Sequence, residues 1–127
     1  MKVFDRHQIA VKKIQKKVGG VAFRTGPFDI MDKEGNFYEV KCPRKRKGRH
    51  LSECRISISD DEYKFGLLNE KLIYFILFDG KEYVVPFNDL RRRIERNRLD
   101  SHIWGNVVRL RRQVTLGQKF LSHYTSF

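Results

Sequence analysis

The 127-residue chain has 27 lysines and arginines against 15 aspartates and glutamates, a formal net charge of +12, with 40% hydrophobic and 13% aromatic residues. That length suits one compact domain with a real core and excludes two ordinary ones; the apolar and aromatic content excludes a disordered basic tail. A folded chain with so large a positive excess repels itself, which points to a polyanionic partner, nucleic acid.

Residues 5–18 read as an amphipathic helix: Ile9/Ala10, Ile14 and Val18 form an apolar stripe and Lys12, Lys13, Lys16 and Lys17 face outward. Gly19-Gly20 ends it. Residues 21–24 predict a short strand, and Gly26-Pro27 a break. A β-hairpin follows, with strands over residues 29–31 and 37–41 joined by a turn containing Glu34-Gly35-Asn36. Residues 43–50 form a basic loop, and residues 55–58 extend briefly. Ser59-Asp60-Asp61-Glu62 has the form of a capping box opening a helix to about Leu68.

Residues 71–78, the most apolar run, predict a central strand covered on both faces. Asp79-Gly80 turns the chain into a strand ending at Pro86, and Asn88 is expected to cap an arginine-rich helix over residues 89–99. A strand over residues 102–110 is expected next. Residues 113–123 read as a helix or as an extension used for pairing. The whole describes a single α/β domain, a central mixed β-sheet flanked by helices.

No apolar run reaches the ~20 residues that cross a bilayer, so no membrane association is expected. The N-terminus lacks the apolar stretch of a signal peptide. Cys42 and Cys54 are too few for a disulfide framework, which points to a reducing, cytoplasmic setting.

The chemistry concentrates in the hairpin. Side chains alternate along a strand, so Glu39 and Lys41 share one face while Val40 points to the other. A twisted hairpin returns Asp29 beside them. Two carboxylates and an amine then converge on one spot. Mg²⁺ needs only one or two protein carboxylates, here Asp29 and Glu39, and the Val40 backbone carbonyl is a third possible ligand. Lys41 is placed to orient or deprotonate an attacking water, or to stabilise developing negative charge.

Pro27-Phe28-Asp29 followed by Glu39-Val40-Lys41 resembles the PD-(D/E)XK nuclease superfamily, which includes restriction enzymes and archaeal Holliday junction resolvases. The resemblance implies a restriction-endonuclease-like core over about residues 5–87, with residues 88–127 a basic C-terminal extension. It further implies metal binding by Asp29 and Glu39, catalytic assistance from Lys41, Mg²⁺ as cofactor with Mn²⁺ able to substitute, and a homodimer acting on DNA. Two departures stand out. Phe28 separates the proline from the aspartate, and the first-helix glutamate of resolvase-like members has no counterpart; His7 or Gln8 takes its place.

Arg44, Lys45, Arg46, Lys47 and Arg49 directly follow the candidate catalytic strand and suit phosphate clamping, which positions without reading sequence. Arg91, Arg92, Arg93 and Arg96 of the later helix are further candidates for phosphate contact, although Arg92 with Glu95 and Arg96 with Asp100 also suit local pairing. The function expected is an Mg²⁺-dependent DNA endonuclease, structure-selective in the manner of Holliday junction resolvases. Competing readings are a catalytically weak or inactive nucleic-acid-binding protein of the same fold and a sequence-specific restriction or homing-type endonuclease.

Overall fold

The computed structural model describes residues 3–45 and 53–124. In chain order the elements are helix α1 (Val3–Val18), strands β1 (Val21–Ala22), β2 (Ile30–Met31), β3 (Phe37–Lys41) and β4 (Cys54–Ser59), helix α2 (Asp60–Leu68), strands β5 (Leu72–Phe78) and β6 (Lys81–Pro86), helix α3 (Phe87–Glu95), strands β7 (Leu99–Trp104) and β8 (Val107–Leu116), and the short helix α4 (Gln118–Leu121), with one 3-10 turn (Ser122–Tyr124) after it. They build a five-stranded mixed sheet in the order β1-β2-β3-β5-β6 and a three-stranded sheet in the order β4-β8-β7. Among the described residues only β3 and β5 run parallel, Glu39 opposite Tyr74 and Lys41 opposite Ile76. Parallel neighbours need a long crossover, and the segment holding β4 and α2 supplies it.

The mixed sheet is covered on both faces, as the near-continuous apolar run of β5 requires. On one face α1 packs Ala10 and Ile14 against Ile30, Tyr38, Val40 and Phe75. Ile9, grouped with Ala10 in the sequence stripe, is instead 55% exposed, because the buried stripe runs through positions 7, 10 and 14. Lys13 and Lys17 reach across to Glu82 of β6, at 2.9 and 2.6 Å, so half of the lysine face of α1 is paired.

On the other face Tyr74, Ile76 and Phe78 meet Leu90 and Ile94 of α3 and the inner side of the second sheet, where Ile56, Ile58, Val114 and Leu116 are buried. The chain beyond residue 87 therefore supplies part of the same core. It is not an appendage.

Local chemistry explains the joints. Asp79 and Gly80, at φ of 52° and 75°, close the β5–β6 hairpin as a two-residue turn with both residues left-handed. Asp32 organises the turn after β2: its carboxylate accepts the Glu34 and Asn36 backbone N–H groups and the Tyr38 hydroxyl. Hydrogen bonds from Asn36 above all hold that carboxyl down to a pKa of about 2.

The C-terminal third departs from the sequence expectation. Pro86, at φ −62° and ψ 145°, is the N-cap of α3, and Asn88 lies inside the first turn; the helix stops at Glu95. Phe87 is buried, which draws the chain into the helix two residues earlier than the Asn88 cap would. The expected strand over residues 102–110 is in fact two strands folded about Gly105, which sits at φ 60°. Most of the segment read as a helix or extension divides between the end of β8, which pairs with β4, and the short helix α4.

Gly66 on α2 lies against the Phe87 ring so closely that an added Cβ would sit 2.4 Å from a ring carbon. Gly66→Ala is therefore expected to destabilise the protein by about 1–3 kcal/mol despite alanine's better helix propensity. Urea unfolding measures this, and a neutral or stabilising result would contradict the packing described.

Candidate functional site

Asp29 immediately precedes β2 and is clamped to β3 twice. Its N–H donates to the Tyr38 carbonyl at 2.8 Å, and its Oδ2 accepts the Val40 N–H at 2.8 Å. These bonds continue the hairpin ladder one residue past β2 and fix the carboxylate over the strand. From the helix side, His7 Nε2 lies 3.1 Å from the Val40 carbonyl and 3.4 Å from Asp29 Oδ2. With an acceptor on each side, Nε2 must hold the ring proton. Ligand atoms of His7, Asp29 and Glu39 all lie within 4.8 Å of one another.

Of the two candidates on α1, His7 occupies this place and Gln8 is exposed. Helical phase decides between them: His7 precedes Ala10 by three positions and Ile14 by seven, so it shares their buried stripe.

Glu39 and Lys41 sit on the opposite face of β3 from Val40, as alternation requires. They are enclosed, with Glu39 7% exposed. Lys41 Nζ lies 3.9 Å from Glu39 and donates to Glu62 Oε1 at 2.9 Å. Glu62 is 9% exposed, and its second oxygen accepts the Tyr74 hydroxyl at 3.2 Å.

Sequence reasoning missed Glu62. Ser59 does cap α2, its hydroxyl accepting the Glu62 N–H at 3.1 Å. The Glu62 side chain, however, turns into the core toward Lys41 instead of back to the cap. A glutamate at the third helical position reads as half of a capping box; the competing signal was an unpaired Lys41 on a buried strand.

The electrostatics follow from burial and from the excess of carboxylates. Burial pushes the Glu39 carboxyl well up; Lys41 opposes this, while Glu62 and Asp29 add to it. Burial alone would lower Lys41, yet Glu62 and Glu39 outweigh it and its pKa is raised, so the ammonium stays charged. Burial likewise pushes Asp29 up, but hydrogen bonding with His7 and Glu39 and from the Val40 N–H brings it below its usual value. His7 is raised, chiefly by its hydrogen bond to Asp29.

Beside Lys41 a cleft of about 410 Å³ is lined by Arg6, Lys41, Arg44, Arg55, Ser57 and Gln113, among others; His7, Asp29, Glu39 and Glu62 do not line it, and among the described residues no carboxylate does. Arg6 donates to the Cys42 carbonyl. Lys45 lies 3.3 Å from Asp79. Arg46, Lys47 and Arg49 fall outside the described residues. On α3, Arg91 pairs with Glu95 at 2.9 Å and the Arg93 guanidinium covers the Phe120 ring at 4.2 Å; no α3 residue lines the cleft. The pairings are thus Arg91 with Glu95 and, farther on, Arg98 with Asp100 at 2.9 Å, in place of Arg92 with Glu95 and Arg96 with Asp100.

Among the described residues no helix is long and apolar enough to cross a membrane. Protein-family models and curated protein sequences give no match to this chain.

Two predictions follow from the pairing. Glu62→Ala strands the Lys41 ammonium and is expected to cost about 3 kcal/mol, while Glu62→Ala with Lys41→Met regains most of it. Denaturant unfolding of the parent and the two variants would contradict the pairing if the single and double variants were equally unstable. For His7, the folded state holds its proton more tightly than the unfolded chain does. The stabilisation is therefore full below the unfolded value of 6.5 and fades as pH rises through the raised folded value. An NMR titration should place His7 above 6.5, falling back in Asp29→Asn; a value at or below 6.5 in the parent protein would contradict the contact.

Proposed function

We propose that the protein is a divalent-metal-dependent DNA endonuclease of the PD-(D/E)XK kind, its mixed sheet and α1 forming a restriction-endonuclease-like core. The convergence of His7, Asp29 and Glu39 within 4.8 Å, with Lys41 beside Glu39, is the observation that supports this most.

The donor set fits a hard divalent cation. Two carboxylate oxygens suit Mg²⁺ or Mn²⁺; the Val40 carbonyl lies 3.1 Å from His7 Nε2, and the His7 imidazole, once its Nε2 proton is displaced, favours Mn²⁺ over Mg²⁺ by ligand type. Asp29 and Glu39 would hold the metal, with His7 in the position of the missing first-helix glutamate. When bound, the metal supplies Lewis-acid neutralisation of the phosphate and a more acidic water.

The chain's own groups do the rest. Asp29, held by the Val40 N–H, presents its carboxylate in one orientation and needs no rearrangement. A cation bound at Glu39 would displace to solvent the proton that burial favours there. Lys41, kept charged by Glu62, acts as a fixed cation toward the negative charge that develops on the phosphoryl oxygens, and not as the base. Arg6 and Arg44 line the approach to it and position the phosphate backbone.

A branched or otherwise structured DNA substrate of the Holliday junction type is favoured over a long sequence-specific site, because the described residues lining the cleft suit contact with the phosphate backbone, which positions without reading sequence. Two copies of the chain would cut two strands.

Purified protein with Mg²⁺ or Mn²⁺ should cut a four-way junction in preference to linear duplex, single strand or plasmid, and Asp29→Asn and Lys41→Ala should each slow cutting by about 100-fold or more. Salt-sensitive binding without cutting on any substrate would overturn the enzymatic reading. Cutting unchanged in both variants would overturn the site.

A further inference from the structure

The second sheet has one face in the core and one face outside. Cys54, Ile56 and Ile58 of β4 and Val114 and Leu116 of β8 are buried. Side chains alternate, so the residues between them point away from the core. Register aligns Arg55 with Thr115, Ser57 with Gln113, Ser59 with Arg111 and Asp100, and His102 with Arg109. Arg55, Gln113, Arg111 and Arg109 thus lie along one outward face.

That face is continuous with the candidate active site. Arg55, Ser57 and Gln113 line the same cleft as Lys41 and Arg44. From Gln113, Arg111 and Arg109 follow at two-residue steps of about 6.7 Å each, on a straight antiparallel strand. Arg55, Arg109 and Arg111 make no ion pair among the described residues; Asp100, opposite Arg111, is held by Arg98 at 2.9 Å. The arginines of α3 differ. Arg91 is paired, Arg93 is stacked, and none reaches the cleft.

We propose that this outward face of β4 and β8, through Arg55, Arg111 and Arg109, is a track for the sugar–phosphate backbone of duplex DNA leading into the Lys41 cleft. The inference rests on the reading of Asp29, Glu39 and Lys41 as a phosphodiester-cleaving site. A row of guanidinium groups that make no ion pair among the described residues suits a regular polyanion, because each strand of a duplex presents a phosphate about every 3.4 Å of helix axis. Among the described residues no aromatic ring lines the cleft, so these residues offer single-strand bases no stacking platform.

The test compares two variants of equal charge change, Arg55→Gln/Arg109→Gln/Arg111→Gln and Arg91→Gln/Arg92→Gln/Arg96→Gln. Fluorescence anisotropy with a labelled 24-base-pair duplex and with the matching single strand, in Ca²⁺ over a range of NaCl, reads binding with no need for cutting. The sheet-face variant should bind duplex at least about tenfold more weakly, and its log–log salt slope should be shallower by about 2 to 3, one phosphate contact each. The α3 variant should lose much less.

Arg109→Gln alone, on the exposed hairpin, should lower the slope by about 1 and serves if the triple variant does not fold. Equal loss in both triple variants, no loss in the sheet-face variant, a parent protein that does not bind duplex, or a larger effect on single strand than on duplex would each overturn the proposal. Failure of the parent protein to cut any DNA, with face-dependent binding retained, would overturn the cleavage reading and leave the track.

Discussion

Everything at this site depends on a buried charge imbalance. Lys41 places an ammonium inside the layer between the mixed sheet and α2, and Glu39 and Glu62 flank it. Taking such groups out of water costs several kcal/mol apiece unless each finds partners. One ammonium cannot satisfy the carboxylates gathered there: Asp29, Glu39 and Glu62 carry three negative charges when ionised, leaving two after Lys41 is counted. The raised values of Glu39 and His7 express the same imbalance in protons. Burial first, and then its acidic neighbours against the opposing pull of Lys41, raise Glu39; the hydrogen bond to Asp29 raises His7. A divalent cation would remove the imbalance directly.

The backbone makes this imbalance possible. β3 sits between β2 and β5, and its Val40 is gripped at both polar atoms, the N–H by Asp29 and the carbonyl by His7. Strand alternation then sends Glu39 and Lys41 away from α1 and toward α2, where Glu62 and Tyr74 wait. Three elements distant in sequence meet at one residue pair. The outside of the molecule has the opposite sign, with Arg6, Arg44 and Arg55 lining the approach. A negatively charged ligand would be drawn by that rim and repelled by an ionised acidic centre, so under the proposed function a cation at the centre and guanidinium groups at the rim would act together.

Much of this was legible in the sequence wherever local chemistry and periodicity agreed. The hairpin holding Asp29 and Glu39, the Ser59 cap, the apolar β5 and the Asp79-Gly80 turn all appear where their residues place them. The errors have physical causes. Asn88 is a good cap by residue type, but the buried Phe87 and the extended Pro86 start α3 sooner. The β7–β8 hairpin was obscured because its far end is exposed, with Ile103 70% and Val108 61% accessible, so its alternation of apolar and basic residues resembles no ordinary core strand. Glu62 was hidden because one glutamate satisfies two patterns, a helix cap and a buried partner, and only tertiary structure shows which applies. His7 over Gln8 was decidable from helical phase.

The central claim is that His7, Asp29 and Glu39 form one divalent-cation site. Anomalous diffraction from crystals of the protein soaked in Mn²⁺ tests it most directly. The account predicts a single strong peak between the Asp29 and Glu39 carboxylates, with oxygens at about 2.1–2.2 Å and His7 on the same ion. Peaks only at other carboxylates, with Asp29 and Glu39 still facing Lys41 and His7 unchanged, would contradict it.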